Sequence, residues 1–208
     1  TEKDIRIGDT VVVQKAGEII PEIVSVVREK RPEGTTPYHL PETCPVCGAP
    51  VERDPDGAAI RCTGAECPAQ LLRNLIHFAS RDAMDIDGVG PAVMRQLIES
   101  GLVSNPADLY DLRAEQLADL ERMGTKSAQN AVDAIAKSKE NDLWRLIFAL
   151  GIRQVGAKAA KILAAHFGSM EALRRAAAEE LTQIDDVGAV TADYIIRWMS
   201  SDQAVDLL

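Results

Sequence analysis

The spacing of apolar residues divides the chain into a β-rich start and a long helical remainder. Residues 5–27 alternate apolar and polar positions in short runs broken near Gly8 and Gly17, which predicts β-strands joined by turns. Because two or three strands do not form a stable sheet alone, we interpret this segment as the end of a larger β-domain. A β-extension packed on the following part of the chain is the alternative. Residues 29–42, which contain three prolines, are predicted to be a linker.

From Pro68 onward, apolar residues recur at helical spacing, and helices alone are predicted, with breaks at glycines. Four breaks share one pattern, in which an apolar residue and a glycine precede a run of helix-forming residues. The glycines of these four hairpins are Gly90, Gly124, Gly156 and Gly188, at intervals of 34, 32 and 32 residues. Such intervals predict an internal repeat of a two-helix unit that needs neighbours to bury its faces. Aligning the glycines places Gly88, Arg122, Gln154 and Asp186 two positions earlier, so only the first hairpin has both glycines.

A glycine before a helix is typical of a phosphate site as well as of an ordinary turn. The first N–H groups of a helix lack intrahelical partners, the dipole adds positive character, and glycine lets a ligand approach the backbone. Backbone contacts to phosphate are predicted at five hairpin positions: Gly88, Val89, Gly90, Gly124 and Gly156. Side-chain contacts are predicted for six residues, with plain solvation as the alternative: Arg122, Thr125, Lys126, Arg153, Lys158 and Lys161. Asp185 and Asp186 would repel phosphate, so the fourth hairpin is predicted to be mainly structural and to pair with the third.

Four cysteines form two close pairs, Cys44-Pro-Val-Cys47 and Cys62-Thr-Gly-Ala-Glu-Cys67, with a turn-rich stretch at 54–57 between them. Two pairs separated by a hairpin-length insert are typical of a tetrahedral Zn²⁺ site. A redox pair or two disulfides are the competing interpretations, but the second pair lacks redox spacing and the chain is predicted to be intracellular. Four thiolates leave no open coordination position, so the predicted zinc is structural and stabilises a segment too small to bury a core.

Composition limits the classes of function. The 208 residues carry a formal charge of −9, and no apolar run is long enough for a membrane span. The first four residues lack the features of a signal peptide, which predicts a cytoplasmic protein. The negative charge argues against a nucleic-acid partner. However, residues 143–167 contain no Asp or Glu and include Arg145, Arg153, Lys158 and Lys161, around the third hairpin.

Aromatic residues make up 4% of the chain, which disfavours a single-strand binder built on stacking and favours sequence-independent contact with a duplex backbone. Four aromatic residues stand among apolar neighbours at helical spacing and are predicted to be core: Trp144, Phe148, Phe167 and Trp198. The three histidines show no pairing that indicates a metal site or a catalytic dyad: His39, His77 and His166.

The cysteine segment and the four hairpins together resemble the C-terminal half of bacterial NAD-dependent DNA ligases, from about Ile5 to near Met199. The residues that carry the resemblance are Lys15-Ala-Gly-Glu-Ile-Ile-Pro21, Cys-Pro-Val-Cys-Gly48, the hairpin from Ile86 to Pro91, Lys126-Ser-Ala128, and Phe148-Ala-Leu-Gly-Ile-Arg153 with Val155-Gly156. The resemblance implies a mainly α fold. A tandem helix-hairpin-helix domain would follow a small zinc finger and a short β segment from the end of an oligonucleotide-binding (OB) fold.

The implied domains are 1–40 for the C-terminal part of the OB fold plus linker, 41–70 for the four-cysteine zinc finger, and 71–208 for the helix-hairpin-helix domain. The four hairpins are expected near 86–91, 122–126, 153–158 and 185–190. The zinc ligands are expected to be Cys44, Cys47, Cys62 and Cys67.

Enzymes of this family transfer AMP from NAD to a lysine, pass it to the 5′-phosphate at a nick, and join the strands. That lysine lies in a Lys-x-Asp-Gly motif, which this sequence lacks, and the usual terminal BRCT domain is absent as well. The resemblance therefore implies an excised, monomeric, inactive portion of a ligase of DNA replication and repair, with nicked double-stranded DNA as its partner. NAD and Mg²⁺ would act only in the intact enzyme, through other domains. A zinc-ribbon and helical module that binds a protein instead of DNA is the alternative, and the charge of −9 favours it.

Overall fold

A computed structural model describes residues 3–17, 19–53, 59–64, 67–201, 204 and 207. The chain divides into two compact units, residues 1–64 and 65–208, which are described separately. Within the described residues, no helix has the length and apolar character that crossing a membrane requires. The predicted turn at 54–57 lies outside the described residues.

The first unit contains two short antiparallel hairpins. Strands β1 (Val11–Ala16) and β2 (Ile20–Val26) pair with a register shift between Val12 and Val13. Strands β3 (Val51–Arg53) and β4 (Ile60–Cys62) form the second hairpin. These strands cover little apolar surface, and Cys44 is the only buried hydrophobic residue among the side chains described in residues 3–64.

Ion pairs order the part of this unit that lies around the predicted linker. A 3-10 helix spans Arg28–Lys30, and Arg31 follows it. The Arg31 guanidinium donates to Asp4 Oδ2 and to Asp9 Oδ1, each at 2.8 Å. The Asp9 side chain is fully buried in this arrangement. The start of the proline-rich stretch is therefore anchored to the beginning of the unit.

The second unit is entirely helical in its described part, which confirms the predicted mainly α fold. Its helices follow one another in the order α1 (Pro68–Ala79), α2 (Pro91–Glu99), a 3-10 helix (Ala107–Asp111), α3 (Ala114–Ala118), α4 (Thr125–Ser138), α5 (Leu143–Ala149), α6 (Ala157–Phe167), α7 (Met170–Arg174), α8 (Ala178–Thr182) and α9 (Ala189–Met199). Gly101 ends α2 in a left-handed conformation with φ 70°, as the sequence predicted.

Two apolar cores stabilise the helical unit, and each lies beneath two hairpins. The first core contains the fully buried Leu75, Met94, Leu97, Leu109 and Leu117. The second core contains the largely buried Ile147, Leu163, Leu173, Leu181 and Ile195. Burial of each such side chain contributes about 1.5–3 kcal/mol. The shared second core confirms that the fourth hairpin pairs with the third.

Candidate nucleic-acid interface and metal centre

The four hairpins have the same backbone conformation. In each, the glycine caps the following helix with an extended backbone, φ lying between −66° and −85°. The residue two positions earlier is left-handed in every copy, with φ of 85° at Gly88 and 64° at Arg122, Gln154 and Asp186. Between them lies an apolar residue, which is buried in three copies: Val89, Val155 and Val187. The four glycines that align in the sequence therefore occupy equivalent positions in the structure.

Packing explains why only the first hairpin keeps its first glycine. A Cβ atom at Gly88 would lie 3.1 Å from the Ala131 Cβ and 3.4 Å from its Cα, and Ala131 is fully buried in α4. The other copies place longer side chains in the left-handed region, which is uncommon for residues other than glycine. At Gly88, both the left-handed backbone and the contact with Ala131 therefore disfavour a side chain.

The four capping glycines, by contrast, have no packing requirement within the described residues. A Cβ atom at Gly90, Gly124, Gly156 or Gly188 would meet no described heavy atom within 4 Å. Their negative φ angles also suit ordinary residues. Glycine at these positions instead leaves open space in front of four helix starts.

The same helix starts offer backbone donors. The first backbone bond to each glycine carbonyl comes from the fourth helical residue: Met94, Ala128, Ala160 and Ala192. The preceding N–H groups have no intrahelical partner, and the described side chains provide no cap hydrogen bond at these helices. Helix α7 differs, because the Ser169 hydroxyl accepts from Ala172 N at 3.1 Å. Open space, unsatisfied donors and the positive end of the dipole together favour an anion.

The basic side chains predicted for the second hairpin lie at its surface. Lys126 and Thr125 are exposed in the first turn of α4, and Lys126 forms no ion pair with a described residue. Arg122 is also exposed, and its Nε lies 3.5 Å from Glu121 Oε1. Lys126 therefore carries a positive charge on the first turn of α4, whose first N–H groups are unsatisfied.

In the third hairpin, the structure brings each predicted basic residue against a neighbouring helix or hairpin. Lys158 Nζ lies 2.5 Å from Asp186 Oδ2, and this carboxylate raises the pKa of Lys158. The Arg153 guanidinium lies 4.8 Å from the centre of the Tyr194 ring in α9. Lys161 Nζ lies 4.5 Å from the centre of the Trp144 ring. The fourth hairpin thus contacts Lys158, and the helix that follows it contacts Arg153.

The prediction of a core position was wrong for Trp144, which is partly exposed and belongs to neither apolar core. Lys161 Nζ lies 4.5 Å and the Arg145 guanidinium 5.0 Å from the centre of its ring, and α5 packs against α6. Phe148 packs partly buried against both cores, and Phe167 and Trp198 pack against the second.

Three residues without a predicted role join the segment before the third hairpin to the segment before the first. His77 Nε2 lies 2.8 Å from the Phe148 carbonyl oxygen, and the two rings meet edge to face. Asn141 donates to the Met84 carbonyl at 2.7 Å, and Arg145 donates to the carbonyl of Ala83. No sequence signal identified these contacts, because their partners lie 57 to 71 residues away.

The four cysteines converge as the predicted metal site requires. Their sulfur atoms all lie within 4.8 Å of one another, and all four thiols are free of disulfides. Val46 N–H donates to Cys44 Sγ at 3.5 Å, and Gly64 N–H donates to Cys62 Sγ at 3.2 Å. Backbone donors at Cys47 and Val46 lower the pKa of Cys44 to about 6. The donors thus favour the thiolate, which is the form that binds metal.

Gly64 makes this arrangement possible. A Cβ atom there would lie 2.9 Å from Ala49 Cβ, 3.1 Å from Cys47 Sγ and 3.3 Å from Cys62 Sγ. The residues present therefore fit one tetrahedral Zn²⁺ held by four sulfurs, a closed set that leaves no position for a substrate.

Models of known families match almost the whole chain. The NAD-dependent DNA ligase OB-fold domain matches residues 1–35, and the NAD-dependent DNA ligase C4 zinc finger domain matches residues 43–69. A SAM-like helix-hairpin-helix tandem matches residues 80–137, and a helix-hairpin-helix motif matches residues 145–208. The chain has the OB-fold end, the C4 zinc finger and the helix-hairpin-helix domains of an NAD-dependent DNA ligase. This confirms the resemblance to NAD-dependent DNA ligases, and the C4 zinc finger supports a structural zinc at the four cysteines.

Several similar proteins are named DNA ligase. The one from Heliobacterium modesticaldum is 58% identical over 199 residues, which cover 96% of this chain and 30% of that protein. The one from Pelotomaculum thermopropionicum is 56% identical, over 97% of this chain and 30% of the relative. That from a Thermoanaerobacter species is 52% identical, over 100% of this chain and 31% of the relative. The chain thus spans less than a third of the length of these relatives.

Proposed function

We propose that this chain is the sequence-independent duplex-binding portion of an NAD-dependent DNA ligase. The observation that carries the proposal is the set of four glycine-capped helix starts, whose N–H donors face open space. Backbone donors contact phosphates without reading bases, so they suit an enzyme whose substrate is a nick in any sequence. The intact protein would seal nicks in DNA replication and repair.

Within this proposal, the hairpins have different roles. The first would bind phosphate through the backbone at Gly88, Val89 and Gly90, because it carries no basic side chain in its turn. The second would add the Lys126 ammonium and the Thr125 hydroxyl to the Gly124 helix start. The third would combine Gly156 with its three cations, Arg153, Lys158 and Lys161, while the fourth remains mainly structural.

The remaining parts of the intact enzyme are part of the same proposal. AMP transfer from NAD and the Mg²⁺-dependent steps would take place in domains outside these residues, so the 208-residue chain alone would be inactive. Zn²⁺ held by Cys44, Cys47, Cys62 and Cys67 would order the finger. We also propose the domain bounds 1–40, 41–70 and 71–208, a monomeric state and a cytoplasmic location.

A salt titration tests whether the chain binds a DNA backbone. With about four to six phosphates neutralised, log K for nicked duplex is expected to fall with log salt at a slope of about −3.6 to −5.4. Intact duplex is expected to bind with a similar slope, and single-stranded DNA more weakly. A slope near zero would reject DNA binding and favour the protein-interaction module.

A matched pair of substitutions tests the capping glycines directly. Gly156→Val places a side chain where phosphate would lie, whereas Gly188→Val makes the same change in the fourth hairpin. Both backbones are extended and open, so valine fits without strain and far-UV circular dichroism is expected to stay unchanged. Gly156→Val is expected to weaken binding about tenfold through lost charge-assisted hydrogen bonds, and Gly188→Val hardly at all. Equal losses in the two variants would contradict the assigned roles.

A further inference from the structure

An ion pair links the third hairpin to the fourth at the proposed phosphate site. Lys158 is the second residue of α6, and its Nζ lies 2.5 Å from Asp186 Oδ2. Both side chains remain substantially exposed, at 80% and 46%. Asp186 occupies the left-handed hairpin position, so the backbone of the fourth hairpin aims its carboxylate at α6.

The Asp186 carboxylate thus occupies the position next to Lys158 Nζ in which a DNA phosphate would bind. Lys158 belongs to the first turn of α6, and the N–H groups at the start of this helix are where the proposed function puts phosphate. A carboxylate at hydrogen-bonding distance neutralises that ammonium and repels a second anion. However, solvent screens exposed ion pairs and leaves them weak, so a phosphate can displace this one.

We propose that Asp186 competes with DNA phosphate for Lys158. Binding of a duplex then replaces the Lys158–Asp186 ion pair with an ion pair between Lys158 and a phosphate. This inference rests on the proposed function and changes the role of the fourth hairpin within it. The fourth hairpin lowers the affinity of the third for DNA and makes its binding less sensitive to salt.

Asp186→Asn removes the charge and keeps the shape, and asparagine tolerates the left-handed backbone at φ 64°. The variant is expected to bind nicked duplex about two- to fivefold more tightly than the unchanged chain, from the range for exposed pairs. Its slope of log K against log salt is expected to steepen by up to about 0.9, because Lys158 then replaces a counterion at phosphate. Asp185→Asn is the matched control, since it changes the net charge equally beside the same turn.

A double variant tests whether Lys158 is the group for which the two anions compete. With Lys158→Met already present, Asp186→Asn is expected to leave the affinity almost unchanged. Equal gains from Asp185→Asn and Asp186→Asn, or a gain that persists with Lys158→Met, would overturn the competition while leaving DNA binding intact. A zinc-loaded, unchanged chain that fails to bind nicked duplex at low salt would reject the proposed function, and the competition with it.

Discussion

The two compact units differ in what holds them together. Residues 67–201 surround two apolar cores, in which side chains such as Leu75 and Leu163 are fully buried. Among the described residues of the first unit, large apolar side chains are exposed instead, including Ile7 at 77% and Ile19 at 83%. That unit depends on ion pairs around Arg31 and on three of the four cysteines, Cys44, Cys47 and Cys62.

The difference predicts which kind of change destabilises each unit. A unit with an apolar core loses stability when its packing changes, whereas one without such a core depends on a metal and on charge. The helical unit can therefore present charged and polar hairpins without relying on them for its fold. Four perturbations test this division.

Removal of zinc is expected to have the largest effect. Zinc sites of this type contribute about 10–16 kcal/mol to the folding of small fingers, so a chelator is expected to disorder residues 44–67. The helices beyond α1 are expected to remain folded, because their cores contain no cysteine. Amide NMR signals would report the finger, and far-UV circular dichroism the helices. Restoration by added Zn²⁺ is the control, and a large loss of helical signal would contradict the division.

Local patterns in the sequence predicted much of the candidate site. The spacing of Cys44, Cys47, Cys62 and Cys67 indicated a metal site because zinc fingers draw their ligands from short, local turns. The four capping glycines indicated equivalent helix starts, since a cap depends on the few residues around it. In both cases, the structural unit is short enough to be encoded within one segment.

Contacts between distant segments could not be predicted in the same way. Lys158 appeared suited to phosphate by its local surroundings, yet Asp186 approaches it from 28 residues later. Trp144 matched a helical core position, but the approach of α6 leaves its ring at the surface beside Lys161. Such pairings follow from how helices pack together, which spacing within one helix does not determine.

A substitution in the first hairpin tests the dependence of the helical unit on packing. Gly88→Ala is expected to destabilise this unit by about 1–2 kcal/mol from the left-handed backbone alone, with a further cost from the contact with Ala131. Gly188→Ala is the control, because that glycine is extended and open. Urea unfolding followed by circular dichroism would measure both. Equal stabilities of the two variants would show that packing at Gly88 does not matter.

Acidification is expected to have the smallest effect and to act on the first unit. Hydrogen bonds from Arg6 and Arg31 lower the pKa of Asp4 to about 2, and Arg31 lowers the pKa of Asp9. Because these carboxylates are more acidic in the folded chain, their stabilisation is complete above about pH 4 and is lost as the pH falls towards 2.

The Arg31→Met variant tests whether these ion pairs order the start of the first unit. The variant is expected to raise both carboxyl pKa values towards the ordinary value of about 3.9, measured from the carboxyl ¹³C shifts between pH 6 and pH 1.5. Amide signals of residues 4–31 are expected to broaden or shift at neutral pH, whereas those of α6 and α9 stay unchanged. Unaltered pKa values of Asp4 and Asp9 would mean that Arg31 does not stabilise residues 4–31, and that another interaction orders them. A change confined to residues 4–31 would show that charge stabilises one unit while apolar packing keeps the other intact.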